Sequence, residues 1–342
     1  MSMTADMMLK ANTTTIIVII AVVLFFALAG ALFLAYIGYC RKLYARIFRR
    51  RKPVPKVDRS PSSIEQETIF GRGMNWFYSN RNEYLNVRID SFDKTKLSGY
   101  YRPSSDRECR SAVILLHGYD EHPAQMAAYA KLMMRQIQCH VLITHMRAHR
   151  MSGGKYCTFG LYESVDLMRW IEFIKRQAGA DIRIFIVGRS MGAVTALLAS
   201  QQQDFPENVA GIIADCPYES LDRVLRDISA KSHPHLNMTP FLHTVNRFVN
   251  KNLGFDMDRC DCVENAGRTK CPVLFFAGGR DDICGPDGVR HIYDNVRTPK
   301  RLVVVDHAEH LMCYDRATAV YEREVRKFIE NCVVRLVSRG KM

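Results

Sequence analysis

Apolar and polar positions along the chain fall into three regimes. From Ile16 to Tyr39 no charged residue occurs, so residues 15–39 are predicted to cross a bilayer as one helix. Between residues 53 and 63, Pro53, Pro55 and Pro61 alternate with Ser60, Ser62 and Ser63, which predicts a polar linker. From about residue 69 to 342, short β-branched runs take turns with segments of helical period. Glu83–Ser91 and Lys96–Tyr101 suggest an antiparallel start. Ala112–Leu116, His140–His145, Arg183–Val187 and Gly211–Ala214 follow as strands, with Met126–Gln136, Leu161–Gln177 and Ala193–Gln201 as intervening helices. Further apolar runs begin at Pro272 and Leu302, and Tyr314–Ile329 has helical patterning. Alternation of this kind predicts an α/β domain with a mainly parallel, doubly wound sheet covered on both faces. The rhythm is interrupted at 218–268, where Leu221–Ala230 and Phe241–Leu253 are patterned as two helices.

Charge orients the first regime. Arg41, Lys42, Arg46, Arg49, Arg50, Arg51 and Lys52 follow the apolar run with no acidic residue among them, whereas the leading tail (1–14) holds Lys10 opposed by Asp6. The positive-inside rule then predicts a single-pass protein of the cell membrane, with its main domain cytoplasmic. A cleaved signal peptide is the alternative, with Ala27-Leu28-Ala29 as a candidate cleavage motif. The apolar run is too long for that, and the charge bias is reversed. Residues 40–68 are expected to form a basic juxtamembrane segment and linker. The basic collar at 41–52 supplies seven of the thirteen net positive charges, so the remaining chain is only modestly basic. It carries no nucleic-acid reading motif. The collar suits anionic head groups, and it serves equally as a plain topology signal. The eleven cysteines are irregularly spaced. Cys260 and Cys262, the closest pair, lack a second ligand pair for zinc, and the others read as reduced core residues of a cytoplasmic domain.

One stretch carries chemistry. The run Ile184–Val187 meets Gly188-Arg189-Ser190-Met191-Gly192, then an Ala/Leu-rich helix. Strand, Gly-x-Ser-x-Gly and helix in that order form a nucleophile elbow, whose tight turn demands small residues two places either side of the serine. A serine hydroxyl needs a base, and the base an orienting carboxylate. The Pro272 run leads into Asp281-Asp282, and Leu302–Asp306 leads into His307-Ala308-Glu309-His310. Asp281 is preferred because Ile283 would anchor the loop, although Asp282 remains open. His310 is preferred over His307 because it lies further into the loop, ahead of a helix that would pack beneath it. Ala112–Leu116 opens into His117-Gly118-Tyr119, which makes the backbone N–H groups of Tyr119 and Met191 the expected oxyanion donors. His117 itself is expected to brace that loop.

These stretches resemble the α/β-hydrolase superfamily from about residue 70 onward. The resemblance also takes in Arg147-Ala148-His149, Ser152–Lys155, Phe159-Gly160, Glu163, Asp166, Ala214–Pro217, Glu309-His310 and Tyr314. More narrowly, the chain looks like membrane-anchored bacterial serine hydrolases related to prolyl-oligopeptidase-type and acyl-esterase domains. The resemblance implies a helical cap at 218–268, most of whose apolar residues would simply pack on the body, with His233 and His235 solvated. Relatives usually carry aspartate where His145 stands, glycine where Arg150 stands, and proline where Gly285 stands. The implied activity is a cofactor-independent, metal-free serine hydrolase acting on a small or lipid-like acyl ester or thioester. A peptidase, or a non-catalytic binding protein on the same fold, is the alternative. Oligomeric state is left open.

Overall fold

The computed structural model describes residues 2–50 and 67–338, with side chains from Thr13 onward. The Pro/Ser linker at 53–63, Arg51 and Lys52 lie outside the described residues. Helix α1 (Ser2–Phe48) comes first. Over its most apolar eighteen residues the mean hydropathy is 3.2 and nothing is buried, so the stretch is long and apolar enough to cross a membrane.

The body follows as α2 (Ile69–Ser79), β1 (Leu85–Asp90), β2 (Lys96–Arg102), β3 (Ser111–Leu116), α3 (Ala127–Gln136), β4 (His140–Thr144), α4 (Leu161–Ala178) and β5 (Arg183–Arg189). Then come α5 (Met191–Ser200), β6 (Val209–Asp215), α6 (Leu221–Ser232), α7 (Thr239–Leu253), β7 (Val273–Gly278), α8 (Pro286–Asn295), β8 (Lys300–Val305), α9 (Cys313–Arg316) and α10 (Thr318–Ser338). Eight strands form one sheet in the order β1-β2-β4-β3-β5-β6-β7-β8. β2 is antiparallel to both neighbours, and the rest of the sheet is parallel. Successive side chains on a strand face opposite ways. Thus Ala112, Ile114 and Leu116 join the layer under α4 and α5, while Val113 and Leu115 join the layer under α2, α3 and α10. Both faces are buried, which is why the central strands read as unbroken apolar runs.

Two expectations need correcting. Residues 40–48, expected to open the basic juxtamembrane segment, are helical and form the last turns of α1. Cys40, Tyr44 and Phe48 recur every four residues and are buried against the body, so the basic residues occupy the remaining faces of the same helix. Just past the helix, Cys157 N–H donates to the Phe48 carbonyl at 2.8 Å and Arg50 N–H to that of Lys155 at 2.8 Å. The helix predicted at Tyr314–Ile329 is likewise two helices. They break at Ala317 (φ −135°), and Tyr314 and Tyr321 stack across the break at 4.7 Å.

The 218–268 insertion forms the helical pair α6 and α7. Leu221, Val224, Leu225, Leu242, Val245, Val249 and Leu253 are buried, whereas His233 and His235 are exposed. Helix α7 also lies along α1. The Tyr36 hydroxyl donates to the Pro240 carbonyl at 2.8 Å, and the rings of Tyr36 and Tyr39 sit 5.0 and 5.3 Å from that of Phe241. The apolar helix is therefore a packed member of the domain at its C-terminal end. Phe48→Ala is expected to lower stability by about 3–5 kcal/mol, the usual cost of emptying a fully buried phenylalanine site. Denaturant unfolding of the full chain in neutral detergent would measure this, and a loss under about 1 kcal/mol would contradict the packing.

Candidate active site

Strand β5 delivers Ser190 to the C-terminal edge of the sheet, and α5 starts at the next residue. The serine holds φ 47° and ψ −114°, a sparsely populated conformation for any residue with a Cβ. The flanking glycines make the turn possible. A Cβ on Gly188 would overlap the backbone of Gly192, and one on Gly192 would overlap the carbonyl of Leu116. Ser190 N–H donates to the Asp215 carbonyl at 2.8 Å, which pins the elbow to β6.

Two later strands bring their loops to the same edge. With the proton on Nδ1, His310 donates to Asp281 Oδ2 at 2.7 Å, and its Nε2 accepts from Ser190 Oγ at 3.1 Å. Ile283 and Cys284 N–H both donate to Asp281 Oδ1 at 2.9 Å. Burial opposes ionisation of Asp281, but the hydrogen bond and charge of His310 together with these N–H donors prevail. Its pKa lies below the ordinary carboxylate value. Asp282 points to solvent and meets Lys231 at 3.9 Å, and His307 is exposed. The structure thus brings Asp281 and His310, not their neighbours, to Ser190. The reason given for Asp281 does not hold, because Ile283 is exposed. The two backbone hydrogen bonds fix that loop instead.

The loop after β3 abuts the elbow, since Gly192 lies against the carbonyls of Leu116 and His117. His117 is fully buried; its Nδ1–H donates to the Gly118 carbonyl at 2.7 Å and its Nε2 accepts Met146 N–H at 3.0 Å. Burial pushes its pKa well down, so the ring is a neutral brace. Glu121 accepts Gly118 N–H at 2.7 Å and pairs with Arg189 at 2.9 Å. Arg189, the second residue of the motif, is buried with its guanidinium 4.1 Å from the Phe70 ring centroid. Sequence reading missed this clamp, although a lone cation within an apolar elbow was the available signal. Tyr119 stacks on Phe159 at 5.0 Å and its hydroxyl donates to the Ile47 carbonyl of α1 at 2.9 Å. Met191 opens α5, whose first N–H groups have no partner within the helix.

The fold that carries this geometry is shared with known proteins. The family model for acetyl xylan esterase (AXE1) matches residues 160–329. The uncharacterised protein YqkD of Bacillus subtilis (strain 168) is 29% identical over 240 residues, 69% of this chain and 75% of its own length. The uncharacterised YfhR of Escherichia coli K12 is 21% identical over 71% of this chain and 79% of its own. The solved esterase Pf2001 of Pyrococcus furiosus superposes with a TM-score of 0.58 at 25% identity, covering 73% of this chain and 92% of that one. Est1E of Butyrivibrio proteoclasticus, solved with ferulic acid bound, gives 0.54 at 17% identity over 72% and 99% of the two chains. The chain has the α/β-hydrolase fold.

Two residues that the resemblance marks as unusual, Arg150 and His145, have local structural readings. Arg150 has φ 44°, the left-handed backbone that glycine adopts freely, and the strain falls on arginine instead. His145 is buried against Tyr100, and burial pushes its pKa down to about 3, so it is neutral core. Sequence reading also missed the thiols around the site. Cys284 lies beside Ser190, and desolvation pushes its pKa well up. Cys216 and Cys313 lie 3.7 Å apart beneath the loops. Among the described residues, the donor atoms of Cys216, Asp281 and His310 are close enough to share a metal ion. Their chemistry suits one poorly, because the Cys313 contact and burial hold Cys216 protonated while Asp281 and His310 are engaged with each other.

Proposed function

We propose that the protein is a membrane-anchored serine hydrolase that cleaves an acyl ester or thioester through an acyl-enzyme. The observation that carries the proposal is the hydrogen-bonded line from Ser190 through His310 to Asp281 at a strained elbow. In this reading Ser190 Oγ attacks the acyl carbonyl while His310 Nε2 takes its proton and Asp281 steadies the imidazolium. The N–H groups of Tyr119 and Met191 receive the oxyanion. Collapse expels the alcohol or thiol, which leaves with the proton from His310, and water repeats the sequence on the acyl-serine. An ester or thioester is favoured over a peptide because the matching family model and the 25%-identical structure are both esterases. The likeness to acylaminoacyl peptidase, at 17% identity and a TM-score of 0.53, shows the fold alone. Helix α1 would hold the hydrolase in the membrane with its body on the basic, cytoplasmic side.

The full chain is expected to stay in the membrane fraction through a high-salt wash and, there, to react with a fluorophosphonate probe. Salt screens attraction of the collar to lipid, so retention isolates the apolar helix. A folded but unlabelled protein would favour a binding module on this fold, and release by salt would remove the anchor.

A further inference from the structure

Beside α1 lies a cavity of about 410 Å³ whose lining includes none of Ser190, Asp281 and His310. It opens where the apolar run ends. Ile37 lines one end, and Arg41 and Arg49 follow at intervals of four and eight residues on the same face of the chain. Lys251, near the end of α7, supplies a third cation, and Tyr44, Tyr156 and Phe248 form aromatic walls. Tyr44 touches both other rings, with centroids 5.9 Å from Tyr156 and 6.0 Å from Phe248.

Three cations around one cavity repel one another unless something anionic joins them. None of the residues lining the cavity is acidic. Among the described residues, no carboxylate pairs with Arg41, Arg49 or Lys251. Arg223 and Arg316, by contrast, have acidic partners in Asp227 and Glu309. No described residue supplies the anion that would join Arg41, Arg49 and Lys251. Guanidinium groups match phosphate oxygens bidentately. Depth then identifies the source. Arg41 stands two residues beyond Tyr39, where the uncharged run ends and head groups begin. Free phosphate has no use for aromatic walls, whereas the glycerol and upper acyl carbons of a phospholipid do.

We propose that this cavity is a binding site for the phosphate head group of an anionic phospholipid, held by Arg41, Arg49 and Lys251 between α1 and α7. The proposal rests on α1 being the membrane span, and the high-salt wash above tests that separately.

The test uses the full chain in neutral detergent micelles doped with phosphatidylglycerol or, at the same fraction, phosphatidylcholine. Native mass spectrometry should find one phosphatidylglycerol retained per chain, with a raised thermal midpoint, and phosphatidylcholine should do neither. Arg49→Gln with Lys251→Gln should weaken retention by about tenfold or more, as loss of charge-assisted bonds predicts. Lys42→Gln with Arg46→Gln removes the same charge from exposed positions outside the cavity, and should leave retention intact. An equal loss from both pairs would reduce the site to diffuse attraction by the collar and overturn it. Inorganic phosphate raising the midpoint as much as phosphatidylglycerol would also overturn it. If the double variant unfolds, Lys251→Gln alone on the exposed face of α7 reads the same effect.

Discussion

Ser190→Ala is expected to abolish fluorophosphonate labelling and to lower ester turnover by roughly four to six orders of magnitude. The alanine keeps a Cβ, so it meets the same φ 47° turn that serine occupies. Gly188 and Gly192 still clear the neighbouring backbone. Stability should therefore change by less than about 1 kcal/mol, because the Oγ makes one hydrogen bond, to His310. Circular dichroism and thermal unfolding would separate a missing nucleophile from a missing fold. Turnover of a short-chain nitrophenyl ester near the wild-type rate would remove Ser190 from the chemistry.

The second large effect separates adjacent residues. Asp281→Asn should cut kcat by about four orders of magnitude, because an amide in place of the carboxylate no longer steadies the imidazolium and favours the wrong tautomer. Asp282→Asn should change kcat by no more than a few-fold, since that side chain faces solvent and touches Lys231 at 3.9 Å. His310→Ala should be as damaging as Asp281→Asn, and His307→Ala nearly silent. Because the His310 contact and two backbone donors hold the Asp281 pKa below its ordinary value, the carboxylate stays charged throughout the neutral range. The contrast should then persist from about pH 6 to 8. A severe loss at Asp282 or His307 would move the proposed acid by one position or the base by three while leaving the reaction class in place.

How far the sequence was legible follows from what each signal measures. The sheet was readable because strands buried on both faces appear as apolar runs, and Ala112–Leu116 and Arg183–Val187 fell close to their observed bounds. The convergence of Ser190, Asp281 and His310 was readable because parallel strands deliver all their C-terminal loops to one edge. Within each loop the register was harder. Ile283 suggested an apolar anchor, yet backbone hydrogen bonds to Asp281 hold the loop, and a one-letter sequence does not display those. The Arg189–Glu121 clamp joins residues 68 positions apart and escaped for the same reason. The end of α1 was misread for a different one. Arg41, Lys42 and Arg46 made residues 40–48 read as part of a basic collar, while Cys40, Tyr44 and Phe48 kept a four-residue apolar stripe beneath them.

That uninterrupted helix sets a working radius. A catalytic domain on a flexible tether sweeps a volume that grows with linker length. Here the chain runs from Tyr39 to Phe48 as helix, a rise of about 13 Å, and Phe48 is already seated in the body. With α1 in a bilayer, Ser190 is restricted to a thin shell above the membrane plane. Lengthening the stalk by whole helical turns should shift that shell outward in steps of about 5 Å. The acyl groups such an enzyme meets are then selected by their height above the lipid as much as by their chemistry.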